Sequence, residues 1–161
     1  MADLTVRSDQ FEEDGEIPPS AAHPSTGGDN RSPHLAWEGV PADAKSLAVT
    51  CWDPDAPTTV GFCHWVRTGL APTVRELPEG SGTEDGDWTD GITDWGETHY
   101  GGMAPPPGDP PHHYRFTVYA LDADAGTLGL DEHATYAKLR FLVKDHVLAS
   151  GTVTGTYAVP G

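Results

Sequence analysis

Two aspartates and two histidines carry the chemistry open to this chain. Asp53 and Asp55 follow the apolar run Leu47–Trp52, with Pro54 between them. His64 lies inside a second apolar run, Phe62–Val66, and His112 stands just before a third, His113–Leu121. Residues of equal parity share a face of an extended chain. Pro54 favours extended backbone, so Asp53 and Asp55 are expected to point the same way. The set admits three readings. The acids cap turns while the histidines sit satisfied in a core; the four form an oxygen and nitrogen metal site; or they line a pocket that holds a small phosphate-bearing ligand by hydrogen bonds.

Other chemistries find little support. Cys63 adjoins His64, but neighbours on a regular strand face opposite ways, which argues against a Cys–His pair. The chain has no Gly-x-Ser-x-Gly and no glycine-rich phosphate loop ahead of a helix. Asp85-Gly86-Asp87-Trp88-Thr89-Asp90-Gly91 resembles a calcium loop, yet an extra residue precedes its third acid and no amphipathic helices flank it. It reads as a solvated loop.

The groups named above must be positioned by a β scaffold. Fifteen prolines and 19 glycines in 161 residues suit short strands and turns rather than a helical bundle. That length fits one domain, 1–161, with its own core. Strands are expected over residues 3–11, in a short piece Phe11–Ile17, over Ser32–Trp37, Ser46–Trp52, Phe62 to Leu70, His113–Leu121 and Thr152–Tyr157. Tyr136, Leu139, Val143 and Val147 recur at helical spacing, which predicts helix over roughly Glu132–Leu148 with Asp131 as N-cap. The class is mostly β: two stacked sheets of Greek-key type with a C-terminal helical segment.

The formal net charge is −16, from 25 acidic and nine basic residues. Such a chain repels nucleic acid and anionic bilayers, which need clustered Lys and Arg. No segment approaches the roughly 18 apolar residues required to cross a membrane, and the N-terminus lacks a signal-like run. Cys51 and Cys63 lie in the strand runs and read as reduced core residues. A cytoplasmic protein without cofactor or membrane insertion is expected.

Longer patterns join these pieces. Asp53-Pro54-Asp55-Ala56-Pro57, Gly61-Phe62-x-His64-Trp65-Val66, Tyr100-x-Gly102-x-x-Pro105-Pro106-x-Gly108 and His112-x-Tyr114-x-Phe116 together resemble the phosphatidylethanolamine-binding protein family. The likeness is closer to its bacterial and archaeal Raf kinase inhibitor-like branch, and it covers about residues 4–157. It implies a β-sandwich with a small anion-binding cavity lined by Asp53, Asp55, His64 and His112. Pro105, Pro106 and Tyr114 would complete the wall, with Phe62 on the rim. It also implies a cis bond at Ala56–Pro57. Two departures stand out: His113 replaces an arginine usual in the family, and Gly102-Met103 replaces the Gly-Pro of many eukaryotic members.

In such a pocket, neighbouring acids favour charged imidazoles at His64 and His112, which then donate to phosphate oxygens. Each charge-assisted bond is worth about 1.5–3 kcal/mol. A phosphate or phosphoethanolamine-type ligand, held more tightly below about pH 6.5, is therefore expected. The resemblance implies a kinase or protease as protein target. Rival readings are an Asp/His-cluster hydrolase or metal-dependent enzyme, and a homodimer that uses Trp52 or Trp65 on an exposed face.

Overall fold

The computed structural model describes residues 2–161. Its strands are β1 (Ala2–Asp3), β2 (Thr5–Arg7), β3 (Gly15–Glu16), β4 (Leu35–Glu38), β5 (Ser46–Asp53), β6 (Phe62–Leu70), β7 (Glu76–Leu77), β8 (Thr89–Asp90), β9 (His112–Leu121) and β10 (Val147–Tyr157). One α-helix, α1 (Tyr136–Val143), lies between β9 and β10. The large sheet has the order β1-β10-β9-β5-β6-β8, with β3 also on β10. The strands from β10 to β8 pair antiparallel, while β1 and β3 lie parallel to β10. A second sheet, β2-β4-β7, is antiparallel throughout.

The large sheet is covered on both faces. Leu35, Trp37 and Leu77 of the small sheet pack with Leu47, Val49, Trp65 and Phe116 on one side. Leu130, Ala134, Leu139 and Val143 pack with Ala48, Val66 and Leu121 on the other. This is why β5 reads as an unbroken apolar run rather than an alternating one: seven of its eight residues are buried. Each fully buried Leu, Val or Phe side chain contributes roughly 1.5–3 kcal/mol. Cys51 and Cys63 are free thiols in opposite clusters, so the sheet itself separates them.

Several expectations are corrected. The helix is capped by Thr135, whose Oγ1 accepts from the Lys138 N–H at 3.1 Å. Asp131 instead makes its own turn by accepting from the His133 N–H at 2.8 Å. Val147 and Leu148 continue the helical spacing in sequence but belong to β10, where pairing with β9 takes them. The Ala56–Pro57 bond is trans. Trp65 is fully buried, and Trp52 stacks on Tyr136 with centroids 5.7 Å apart, so neither presents a bare indole for a second copy. No helix among the described residues is long and apolar enough to cross a membrane.

Candidate functional site

The site forms where β5 ends, β6 begins and β9 begins. Asp53 is the last residue of β5, and its carboxylate is used twice. Oδ1 accepts from the Asp55 N–H at 2.7 Å, closing an Asx turn. Oδ2 lies 2.7 Å from His112 Nδ1. His112 Nε2 reaches Asp109 Oδ2 at 2.9 Å. Carboxylates only accept, so both ring nitrogens donate and His112 is an imidazolium. Burial acts against that charge, but the hydrogen bonds His112 donates to Asp53 and Asp109 outweigh it and raise the His112 pKa.

His64 has the opposite environment. On β6, Cys63 pairs with Trp52 and Trp65 with Cys51, so His64 is an extra residue opposite one step of β5. This bulge breaks the alternation and re-aims the ring. His64 Nδ1 lies 2.8 Å from the Gly101 carbonyl and 3.1 Å from that of Gly102. Carbonyls also only accept, so the proton sits on Nδ1 and Nε2 keeps a lone pair. Burial lowers the pKa to about 4, against weaker opposing contributions from the two carbonyls and Asp53. His64 is therefore neutral, correcting the expectation of two charged imidazoles.

The glycines that hold His64 are required by contact. A Cβ at Gly101 would meet Trp95 Cδ1 at 2.2 Å, and one at Gly102 would meet the His23 N at 2.4 Å. The same segment closes β6: the Gly101 N–H donates to the His64 carbonyl at 2.9 Å. Asp94 Oδ2 accepts from the Cys63 N–H at 2.7 Å.

Between these elements lies a cavity of about 250 Å³ lined by Asp53, Phe62, His64, Trp95, Pro105, Pro106, His112 and Tyr114, with Ala56, Pro57, Thr58 and Ala104. Of the eight residues singled out in the sequence, seven line it. Asp55 does not: the strand ends at Asp53, and the Asx turn swings the next carboxylate outward. Asp55 Oδ2 takes the His113 N–H and lies 2.7 Å from His113 Nδ1 as well. His113, at the position where arginine is usual, thus has an acidic partner on the surface.

Two contributors escaped the sequence reading. Asp109 completes the His112 chain, and Trp95 forms a wall. Trp95 stacks on His23 with centroids 3.9 Å apart and meets Phe62 edge-on at 5.2 Å. Its Nε1–H is buried and has no acceptor among the described residues. Trp95 belongs to the acidic stretch 83–97, just beyond the segment 85–91 expected to be a solvated loop. The calcium-like segment also has other partners: Asp85 lies 2.8 Å from His99, and Asp90 is buried against Arg67.

Residues 7–158 match the family model described as phosphatidylethanolamine-binding protein. The chain is 47% identical over 135 residues to the UPF0098 protein YbhB of Escherichia coli, covering 81% of this chain and 84% of that one. It is 36% identical over 164 residues to a UPF0098 protein of Methanothermobacter thermautotrophicus, covering 96% and 98%. The crystal structure of E. coli YbcL, described as a new member of the mammalian PEBP family, superposes with a TM-score of 0.90 at 34% identity, covering 98% of this chain and 99% of that one. A putative homologue from Chlamydia trachomatis, CT736, gives 0.83 at 31% identity, covering 98% of each chain. The chain belongs to the phosphatidylethanolamine-binding protein family.

Proposed function

We propose that the chain is a one-domain binding protein whose cavity takes a small zwitterionic or weakly anionic ligand of the phosphoethanolamine type, without catalysing a reaction. One observation carries this reading. The charged chain Asp53–His112–Asp109 is internally satisfied, while among the described residues the His64 Nε2 lone pair has no protein partner in a cavity lined largely by aromatic and proline side chains. The wall offers no activated nucleophile. Thr58 Oγ1 donates to the Gly61 carbonyl at 2.5 Å. Burial holds the Tyr114 phenol well above its usual range. Cys63 lies in the core cluster on the other face of the sheet, its thiol pushed up by burial to about 12. The two free thiols suit a reducing, cytoplasmic setting.

A phosphate oxygen meets the His64 Nε2 as an acceptor. Binding is favourable only if His64 takes up a proton, so ligand and proton bind together. An ammonium group finds the Asp53 carboxylate. Affinity should therefore climb as pH falls from 6.5 towards 4, with His112 already charged over that range. Calorimetry with phosphoethanolamine at pH 7.5 and 5.5, in buffers of different ionisation enthalpy, tests this. Tighter binding at pH 5.5 with net proton uptake is expected. Equal or absent binding at both, or phosphoester turnover lost in His64→Ala, would contradict it.

A further inference from the structure

On the helix-side face of the large sheet, behind the cavity, alternation along β9 sets Arg115, Thr117 and Tyr119 opposite to Tyr114, Phe116 and Val118. Thr152 and Ser150 of β10 lie across from Thr117 and Tyr119, and Trp52 of β5 lies across from Arg115. With Tyr136 and Arg140 of α1 they enclose a groove of about 320 Å³, whose eight lining residues include no carboxylate. That is unusual in a chain with 25 acidic residues.

The two arginines lack the carboxylate partner that three of the other four have; Arg75 donates to the Pro72 and Val74 carbonyls instead. Arg7, Arg31 and Arg67 each pair with a carboxylate. Among the described residues, Arg115 and Arg140 form no ion pair. The Arg140 guanidinium donates to the Tyr136 hydroxyl at 3.1 Å and lies 5.8 Å from the Tyr119 ring centroid. Its remaining N–H groups still have donors to offer. Thr117 Oγ1 and Thr152 Oγ1 are 2.8 Å apart. One of these hydroxyls must donate to the other, which leaves one hydrogen for a further acceptor.

From this arrangement we infer a second ligand site: the groove binds the phosphate group of a small molecule, through Arg115, Arg140 and the threonine pair. Two guanidinium forks and a hydroxyl supply more donors than one carboxylate accepts, and they suit the several oxygens of a phosphate. The −16 charge of the chain repels anions at long range, so selectivity rests on these short contacts. Neither the groove nor this assignment depends on the cavity reading, because different side chains on opposite faces of β5 and β9 form the two sites.

The test is a titration of the full chain with inorganic phosphate, and separately acetate, at pH 7.5, followed by amide and arginine Nε–H NMR. Saturable shifts at Arg115, Thr117, Arg140 and Thr152 are expected, with phosphate at least fivefold tighter than acetate. Arg115→Gln alters an exposed strand position and should weaken phosphate by about tenfold, the worth of one charge-assisted bond. It should leave the cavity's response to phosphoethanolamine unchanged. Arg115→Gln with Arg140→Gln should abolish the groove shifts. Shifts confined to residues around His64 and His112, acetate binding as tightly as phosphate, or affinity within twofold of wild type in the double variant would overturn the assignment.

Discussion

Two buried cation–carboxylate clusters flank β6, and they differ in what they leave unsatisfied. Arg67 is wholly buried and holds Asp90 with Nε and Nη2, each at 3.0 Å. Its other donors reach Ser81 Oγ at 3.2 Å and the carbonyls of Ser81 and Glu84 at 2.8 and 3.3 Å. Trp88 covers the guanidinium at 4.4 Å. Every guanidinium nitrogen has an acceptor, and this cluster stitches the acidic stretch 83–97 to the sheet. At the other end of β6, Asp53 and His112 are equally buried, but they border a cavity in which His64 Nε2 has no protein partner among the described residues. A cluster closed on itself holds structure, whereas one beside an unspent acceptor in a cavity is equipped to hold a ligand.

The contrast can be broken by mutation, beginning where the effect is largest. Arg67→Ala leaves Asp90 buried without its cation and should cost about 3–5 kcal/mol in urea unfolding. A loss below about 1 kcal/mol would remove the distinction between the clusters.

The next effect is read from pH. Between 6.5 and about 4 the unfolded chain protonates His64 and the folded chain does not, so stability is lost as pH falls through that window. The full loss is about 3 kcal/mol, and His64→Gln should flatten it. His112 acts with opposite sign. Its raised pKa stabilises the fold fully below the unfolded value of 6.5, and that contribution fades as pH rises through the folded value.

His112→Asn should cost a further step less, about 1–3 kcal/mol, because cavity water can reach the orphaned Asp53. It should abolish the phosphoethanolamine-induced shift of the His64 titration, read by NMR, which reports the cavity alone. The smallest effect is expected from Asp55→Asn. Hydrogen bonds from His113 outweigh desolvation and keep the Asp55 pKa low, but the pair is half exposed and worth at most about 1 kcal/mol. Cavity binding should survive it; a tenfold loss would return Asp55 to the cavity wall.

The long strands were legible because β5, β6 and β9 carry their own apolar runs. The short strands β3, β7 and β8 were not, since two residues paired by context leave no periodicity to read. Within the site, strand alternation along β9 sets His112 and Tyr114 on one face and His113 on the other. Parity misled at Asp55, where an Asx turn ends the alternation, and it could not foresee the bulge at His64. Asp109 and Trp95 come from loops, where position is set by tertiary hydrogen bonds and ring stacking rather than by spacing. The four family motifs were more informative than any one periodicity, because they sampled loops and strands together.

The histidine charge states test the cavity most directly. Ring-resolved NMR titration should find His64 neutral with its proton on Nδ1 down to about pH 4, and His112 still protonated above pH 6.5. Saturating phosphoethanolamine should move the His64 titration to higher pH. A His64 that titrates near 6.5 in the free protein, or one that ignores the ligand, would contradict the cavity's assigned role.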